Sequence, residues 1–341
     1  MSSSKEFDSK HHETVNGPAP KRKGGIKRHC ARFWWIYVIA LIIVILAVVL
    51  PIIFVGYPRL AQSGINKAQL VPTAQIIRNP APDSADLTLD SVLLSDSNLH
   101  PDLDSFNGSF YLEGQTTPFV SVTIPAIKAE NGTTARVQQS IQITDLAAFT
   151  RYTTTLLATK NFLVNLRGSG GLKQGGLPRI TVNYNQTINL TGLNALQGLE
   201  ITRFRLGDDL PFGANSFGNV TIPNPSISTA DFGDVTLNLF VGETLIGNST
   251  LPALTLTPGN NSYPLYATAN TSAIAGILSQ PAYRCGVIPL SIRGDESRFG
   301  GVQIPYFTAP LRLATISTRF NLTDTLTEAG FGQLVNGTCE T

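Results

Sequence analysis

The run from Trp34 to Gly56, WWIYVIALIIVILAVVLPIIFVG, contains no charged residue, and it limits what the chain around it can be. As a helix rising about 1.5 Å per residue it would be roughly 34 Å long, enough for a hydrocarbon core of about 30 Å. A lone segment in lipid must satisfy its own backbone polar groups, and only a helix does so. Trp34, Trp35 and Tyr37 would mark one interface and Tyr57 the other, with Pro51 late in the span, where a kink is tolerated. A signal peptide would be shorter and would start near the N-terminus, whereas here a long hydrophilic stretch comes first. A transmembrane helix over 34–56 is therefore expected.

Charge orients it. Residues 1–58 carry eight Lys/Arg against three Asp/Glu; of the totals of 25 and 23, this leaves seventeen against twenty for the remainder. Lys21, Arg22, Lys23, Lys27, Arg28 and Arg32 crowd the N-terminal flank, whereas Arg59, Lys67 and Arg78 are scattered after the span. The positive-inside rule predicts a cytosolic N-terminus. N-x-[ST] sequons occur at Asn107, Asn131, Asn185, Asn189, Asn219, Asn248, Asn260, Asn270, Asn321 and Asn336, all after the span. The two patterns agree on a glycosylated luminal body. The tail, 1–33, reads as disordered and basic. Its basic run enforces topology, with contact to anionic lipid as the competing reading. Cys30 is a palmitoylation candidate and equally a free thiol. The body lacks clustered positive charge, so no nucleic-acid partner is expected.

After a linker over 57–65, charge is sparse (14% of the chain) and Thr, Asn, Ser, Gly and Pro abound, a composition that suits short strands and turns. Apolar residues alternate at Leu87 and Leu89, at Val120, Val122 and Ile124, at Ile180 and Val182, and at Val235, Leu237 and Leu239. Residues 145–159 instead have helical spacing through Leu146, Phe149, Tyr152 or Thr153, and Leu156, with Thr144 or Asp145 as the cap. VTIPAI at 122–127 resembles STLPAL at 249–254, a shift of 127, and VNLRG at 164–168 resembles LSIRG at 290–294, a shift of 126. Asn270 would open the second copy's helix. Residues 66–199 and 200–341 thus read as two copies of one module, each a β-sandwich of immunoglobulin or fibronectin type with a short helix. The expected fold is mainly β, behind an N-terminal membrane helix. Cys285 and Cys339 are a disulfide candidate in an oxidising compartment.

A basic tail, one uncharged span and tandem strand-rich modules resemble the fungal tandem-repeat membrane proteins of unknown function. These are related to the plant late-embryogenesis-abundant group-2 domain, also called the water-stress and hypersensitive-response domain. The stretch FGNVTIPNPS followed by DVTLNLFVG carries most of the likeness, with the Asn-Pro steps Asn79-Pro80 and Asn224-Pro225. Those steps are 145 apart, which departs from the repeat. The resemblance implies a vacuolar membrane and, for some relatives, lipid bound or passed through the sandwich interior. The plasma membrane and endoplasmic reticulum are the alternatives.

The body offers little for catalysis. Its one histidine, His100, precedes a proline, and no G-x-S-x-G elbow is present. Asp102/Asp104, Asp208/Asp209 and Asp295/Glu296 are adjacent carboxylates of the kind that usually face solvent, and GSGGLKQGG lacks the ending of a phosphate loop. No catalytic, cofactor or metal residue is nominated, and an enzyme is not expected. Two functions are expected from the body: a lipid-binding or lipid-passing module beside its bilayer, or a non-enzymatic adhesion, receptor or scaffold ectodomain for a protein or glycan partner.

Overall fold

The computed structural model describes residues 25–97 and 99–335, with side chains from Phe33 onward. The chain divides into two units, ending and beginning at Gly56 and Tyr57.

The first unit is helix α1 (Gly25–Pro51) and a π turn (Ile52–Gly56). Phe33 leaves helical geometry at φ −120°, one residue before the expected span begins. Pro51 closes the regular helix, because a proline removes a hydrogen bond and crowds the preceding turn, and the π turn follows directly. This is the chain's one helical stretch, among the described residues, that is long and apolar enough to cross a membrane. Its mean hydropathy reaches 3.6 and none of it is buried. Of the tail expected to be disordered, residues 25–33 are helical and 1–24 lie outside the described residues.

The second unit opens with helix α2 (Tyr57–Lys67), which occupies the segment read from the sequence as a linker. Fourteen principal strands follow. The first seven are β1 (Gln69–Ala81), β2 (Ser84–Leu94), β3 (Phe106–Leu112), β4 (Val120–Ile124), β5 (Thr134–Gln142), β6 (Asn161–Lys173) and β7 (Ile180–Thr191), with helix α3 (Leu146–Ala158) between β5 and β6. The second seven are β8 (Glu200–Leu206), β9 (Ser216–Asn224), β10 (Ser228–Val241), β11 (Thr244–Leu256), β12 (Gly259–Ala269), β13 (Val287–Phe299) and β14 (Thr315–Asn321). Helix α4 (Thr271–Leu278) lies between β12 and β13, α5 (Pro305–Leu313) before β14, and α6 (Thr323–Glu328) after it.

The two sevens share one topology. In the first, β1–β2–β5 form one layer and β4–β3–β6–β7 the other. In the second, β8–β9–β12 and β11–β10–β13–β14 repeat the pattern, so each strand matches the one seven places on. The helix follows the fifth strand in both, opened by a side-chain cap. Asp145 Oδ1 accepts from Ala148 N at 2.8 Å, and Asn270 Oδ1 from Ala273 N at 3.1 Å. One side-chain contact also recurs. Arg167 lies over the Tyr111 ring and Arg293 over the Phe240 ring, both at 4.8 Å. Each arginine stands opposite the residue two before its ring, Ser109 and Asn238 respectively. A diagonal arginine–aromatic pair thus recurs at matched positions of the two halves.

The Asn-Pro steps are not equivalent. Asn79-Pro80 lies at the β1–β2 turn, with Asn79 at φ 47°, and Asn224-Pro225 lies between β9 and β10. This accounts for their spacing. In the second half β11 also pairs with β12, and β1 runs parallel to β10 over Gln75–Ile77 and Ser228–Ala230. The segments 66–199 and 200–341 therefore share an eleven-stranded sheet.

The halves are joined by side chains too. Helices α3 and α5 meet where Thr153 Oγ1 donates to the Tyr306 carbonyl at 2.6 Å and the Tyr306 hydroxyl donates to the Ser84 carbonyl at 3.1 Å. Phe149 meets Tyr306 edge-on at 5.0 Å, and within the first half Phe119 stacks on Tyr152 at 4.2 Å. On α3 the buried face is Phe149, Tyr152, Thr153 and Leu156, as its spacing predicts. Leu146 is instead exposed at the helix start.

Candidate functional site

A lipid carried by this body would have to enter one of the sandwich interiors. In the first, Leu87, Leu89, Phe110, Val164 and Ile188 face one another around a void of about 40 Å³. In the second, Phe204, Leu239, Leu265 and Phe320 surround about 20 Å³. Between the halves, Ile77, Leu156, Phe232 and Phe307 leave about 20 Å³. Each void has about the volume of one water molecule, far below the roughly 300 Å³ at which ligand pockets begin. Tyr152 also lines the first of these voids, and it and Phe149 are almost wholly buried.

A larger space lies outside, where a groove of about 480 Å³ opens on the outer face of β1–β2–β5. Its lining follows from strand register. Ile76, Thr88 and Gln138 stand in one row across the three strands, and Arg78, Asp86 and Ser140 in the next. Side chains two apart on a strand share a face, so the apolar alternation that turns Leu87 and Val137 inward turns these residues outward. Asn79 Nδ2 donates to Asp86 Oδ2 at 2.8 Å. Arg78 stands opposite Asp86 yet forms no ion pair with it, while farther along the face Arg136 grips Asp90 through two bonds of 2.7 Å. That pairing holds the Asp90 carboxyl below its usual range, chiefly through the hydrogen bond from Arg136. The alternation in β2 was legible in the sequence, but the register that sets three strands side by side was not.

The residues singled out in the sequence are dispersed. His100 and Asp102 are exposed, and Asp104 pairs with Arg179 at 3.0 Å. Asp295 pairs with Arg312 at 3.7 Å, Glu296 with Arg298 at 2.6 Å, and Asp208 and Asp209 are exposed. Among the described residues no group of three or more His, Cys, Asp or Glu side chains is placed to hold a metal. Burial pushes the phenols of Tyr152 and Tyr184 up to about 12, so both stay protonated at neutral pH.

The glycine-rich stretch is divided between a strand and a turn, with Gly175 and Gly176 in the connection from β6 to β7. Gly168, Gly170 and Gly171 lie within β6, and their missing side chains make room for Phe106 and Asp104. A Cβ on Gly168 would come within 2.7 Å of the Asn107 carbonyl and 2.9 Å of the Phe106 ring. Phe106 in turn stacks on Tyr184 at 4.0 Å.

Of the sequons, Asn107, Asn131, Asn185, Asn189, Asn248, Asn260, Asn270 and Asn321 are exposed and Asn219 is half-buried. Cys285 is disulfide-bonded. Cys339, Asn336 and the Cys30 side chain lie outside the described residues.

Fold and groove together define a mainly β protein of two like sandwiches behind one candidate membrane helix. A family model described as a protein of unknown function (DUF3712) matches residues 117–239, from just before β4 into β10. No curated protein matches the sequence. Among solved structures, the E. coli chaperone DraB is 12% identical with a TM-score of 0.19, covering 75% of this chain and 98% of that chain. The periplasmic chaperone SfaE is 14% identical with a TM-score of 0.16, covering 69% and 95%. Spo0M, a sporulation control protein from Bacillus subtilis, is 8% identical with a TM-score of 0.17, covering 79% and 98%. At TM-scores this low, these likenesses carry no argument.

Proposed function

We propose that this chain is a single-pass membrane protein with a cytosolic N-terminus, whose glycosylated tandem sandwich is a non-enzymatic binding or scaffold ectodomain. The basic flank before the apolar helix and the sequons after it support the orientation. The resemblance to fungal relatives supports a vacuolar membrane as the compartment.

Of the two roles read from the sequence, the packed interior favours surface recognition over lipid carriage. Voids of about 20 and 40 Å³ cannot admit an acyl chain without displacing buried aromatics. Removing one such aromatic would itself cost about 3–5 kcal/mol. Recognition then falls to the outer faces and loops of a rigid scaffold.

Native mass spectrometry of the full-length protein, released from detergent, tests this choice. The expected spectrum shows the chain with its glycans and no stoichiometric lipid. One lipid retained per chain, and lost on widening or blocking the interior, would return the reading to lipid carriage.

A further inference from the structure

The groove on β1–β2–β5 has a chemistry that narrows its occupant, and we infer that it is a binding site for a neutral oligosaccharide. This deepens the proposed binding role and rests on it. Three observations carry the inference.

The first is what the groove offers. Arg78 and Asp86 face each other across β1 and β2 without pairing, so a cationic donor and an anionic acceptor stand side by side with no net charge. Gln138, Ser140 and Thr88 add neutral donors and acceptors around them, while the Asn79 amide already donates to Asp86. A hydroxyl is the ligand group that both donates and accepts, and a sugar carries several of them on one ring. Ile76 supplies an apolar spot for the C–H face of that ring.

The second is what the groove excludes. An extended peptide would add to a free strand edge; the open edge here is that of β5, at the rim of the groove, whereas β2, the middle of the floor, spends its backbone groups on both neighbours. A folded protein would need sockets for apolar anchors, and a lipid tail would need an apolar wall, while the two rows present one apolar side chain in six. A nucleic acid or acidic polymer would need clustered cations, and one arginine opposed by an aspartate does not supply them.

The third is the placement of sequons. The sheet β4–β3–β6–β7 carries Asn107, Asn185 and Asn189. The sheet β8–β9–β12 carries Asn219 and Asn260, and β11–β10–β13–β14 carries Asn248 and Asn321. Strands β1, β2 and β5 carry none, although the equivalent layer of the second sandwich carries two. If the sequons are used, this is the sheet face on which no strand bears the protein's own glycan.

The test uses the full-length protein in nanodiscs, with binding measured to mannan, laminarin and xyloglucan as neutral polymers and to polygalacturonate and polyglutamate as acidic ones. The expected result is saturable binding to at least one neutral polymer. It should weaken about tenfold in Arg78→Gln and in Gln138→Ala, both surface changes, with unaltered thermal unfolding. Binding of none of the neutral polymers, equal binding in both variants, or binding led by the acidic polymers would each overturn it. The measurement is made on purified protein, so it stands or falls apart from the orientation of the chain in its membrane.

Discussion

At the scale of single residues, the sandwich is held by small side chains in places where larger ones will not fit. Gly168 and its repeat partner Gly294 are both crowded, the first by Phe106 and the Asn107 carbonyl, the second by Leu311 of α5, whose Cβ would lie 2.5 Å from an added methyl. Gly168→Ala should lower stability by about 1–3 kcal/mol, read as a fall in thermal midpoint, because the Asn107 carbonyl belongs to the paired strand and cannot move away cheaply. An unchanged midpoint would contradict the packing described. The buried phenols give a pH signature. Tyr152 and Tyr184 ionise near 12 when folded and near 10 when unfolded, so their contribution is whole below about pH 10 and is lost as pH rises through about 12. In an absorbance titration of the nine tyrosines, a buried group should ionise late and together with alkaline unfolding. A single folded-state transition near pH 10 for all of them would show that the phenols are exposed.

At the scale of elements, α2 does what a linker would not. Strand β7 pairs with β6 on one side, and its free edge is a template for pairing with another chain. Helix α2 covers it. The Gln62 side-chain amide donates to the Asn183 carbonyl at 2.7 Å and accepts from the Asn183 N–H at 2.8 Å, as a strand would, and Gln186 Nε2 donates to the Ile65 carbonyl at 2.8 Å. Gln62→Ala should speed hydrogen exchange at the Asn183 amide by about tenfold while distant strands keep their protection. Uniform loss of protection, or none, would mean that α2 does not guard this edge. The sequence hid this element because Pro58, Ser63 and Gly64 weaken its helical signal, and its partner Asn183 lies 121 residues away. Much else was legible. The alternation at Leu87 and Leu89, the cap before α3 and the Arg-Gly repeat at Arg167 and Arg293 all follow from short-range patterns. The place of Gly168 and Gly170 inside β6 was not legible, because strand glycines look like turn glycines until the ring that lies over them is known. The groove was half legible, because alternation marks Asp86 and Thr88 as outward, but register alone brings Arg78 and Ser140 beside them.

At the scale of the whole molecule, two sandwich-like halves of one strand topology are fused into a single unit. The parallel pairing of β1 with β10 and the Thr153–Tyr306 bond tie the copies together, so a surface on one copy is fixed with respect to the other. Such a body suits recognition at its faces better than an opening of its interior. In the proposed topology that body stands on the far side of the membrane from the basic tail. Protease protection in intact organelles or cells, combined with endoglycosidase digestion, measures this directly. The expected result is a protected C-terminal fragment, beginning near Tyr57, whose mobility shifts when glycans are removed. A C-terminal body digested from the cytosolic side, with no shift on deglycosylation, would contradict it.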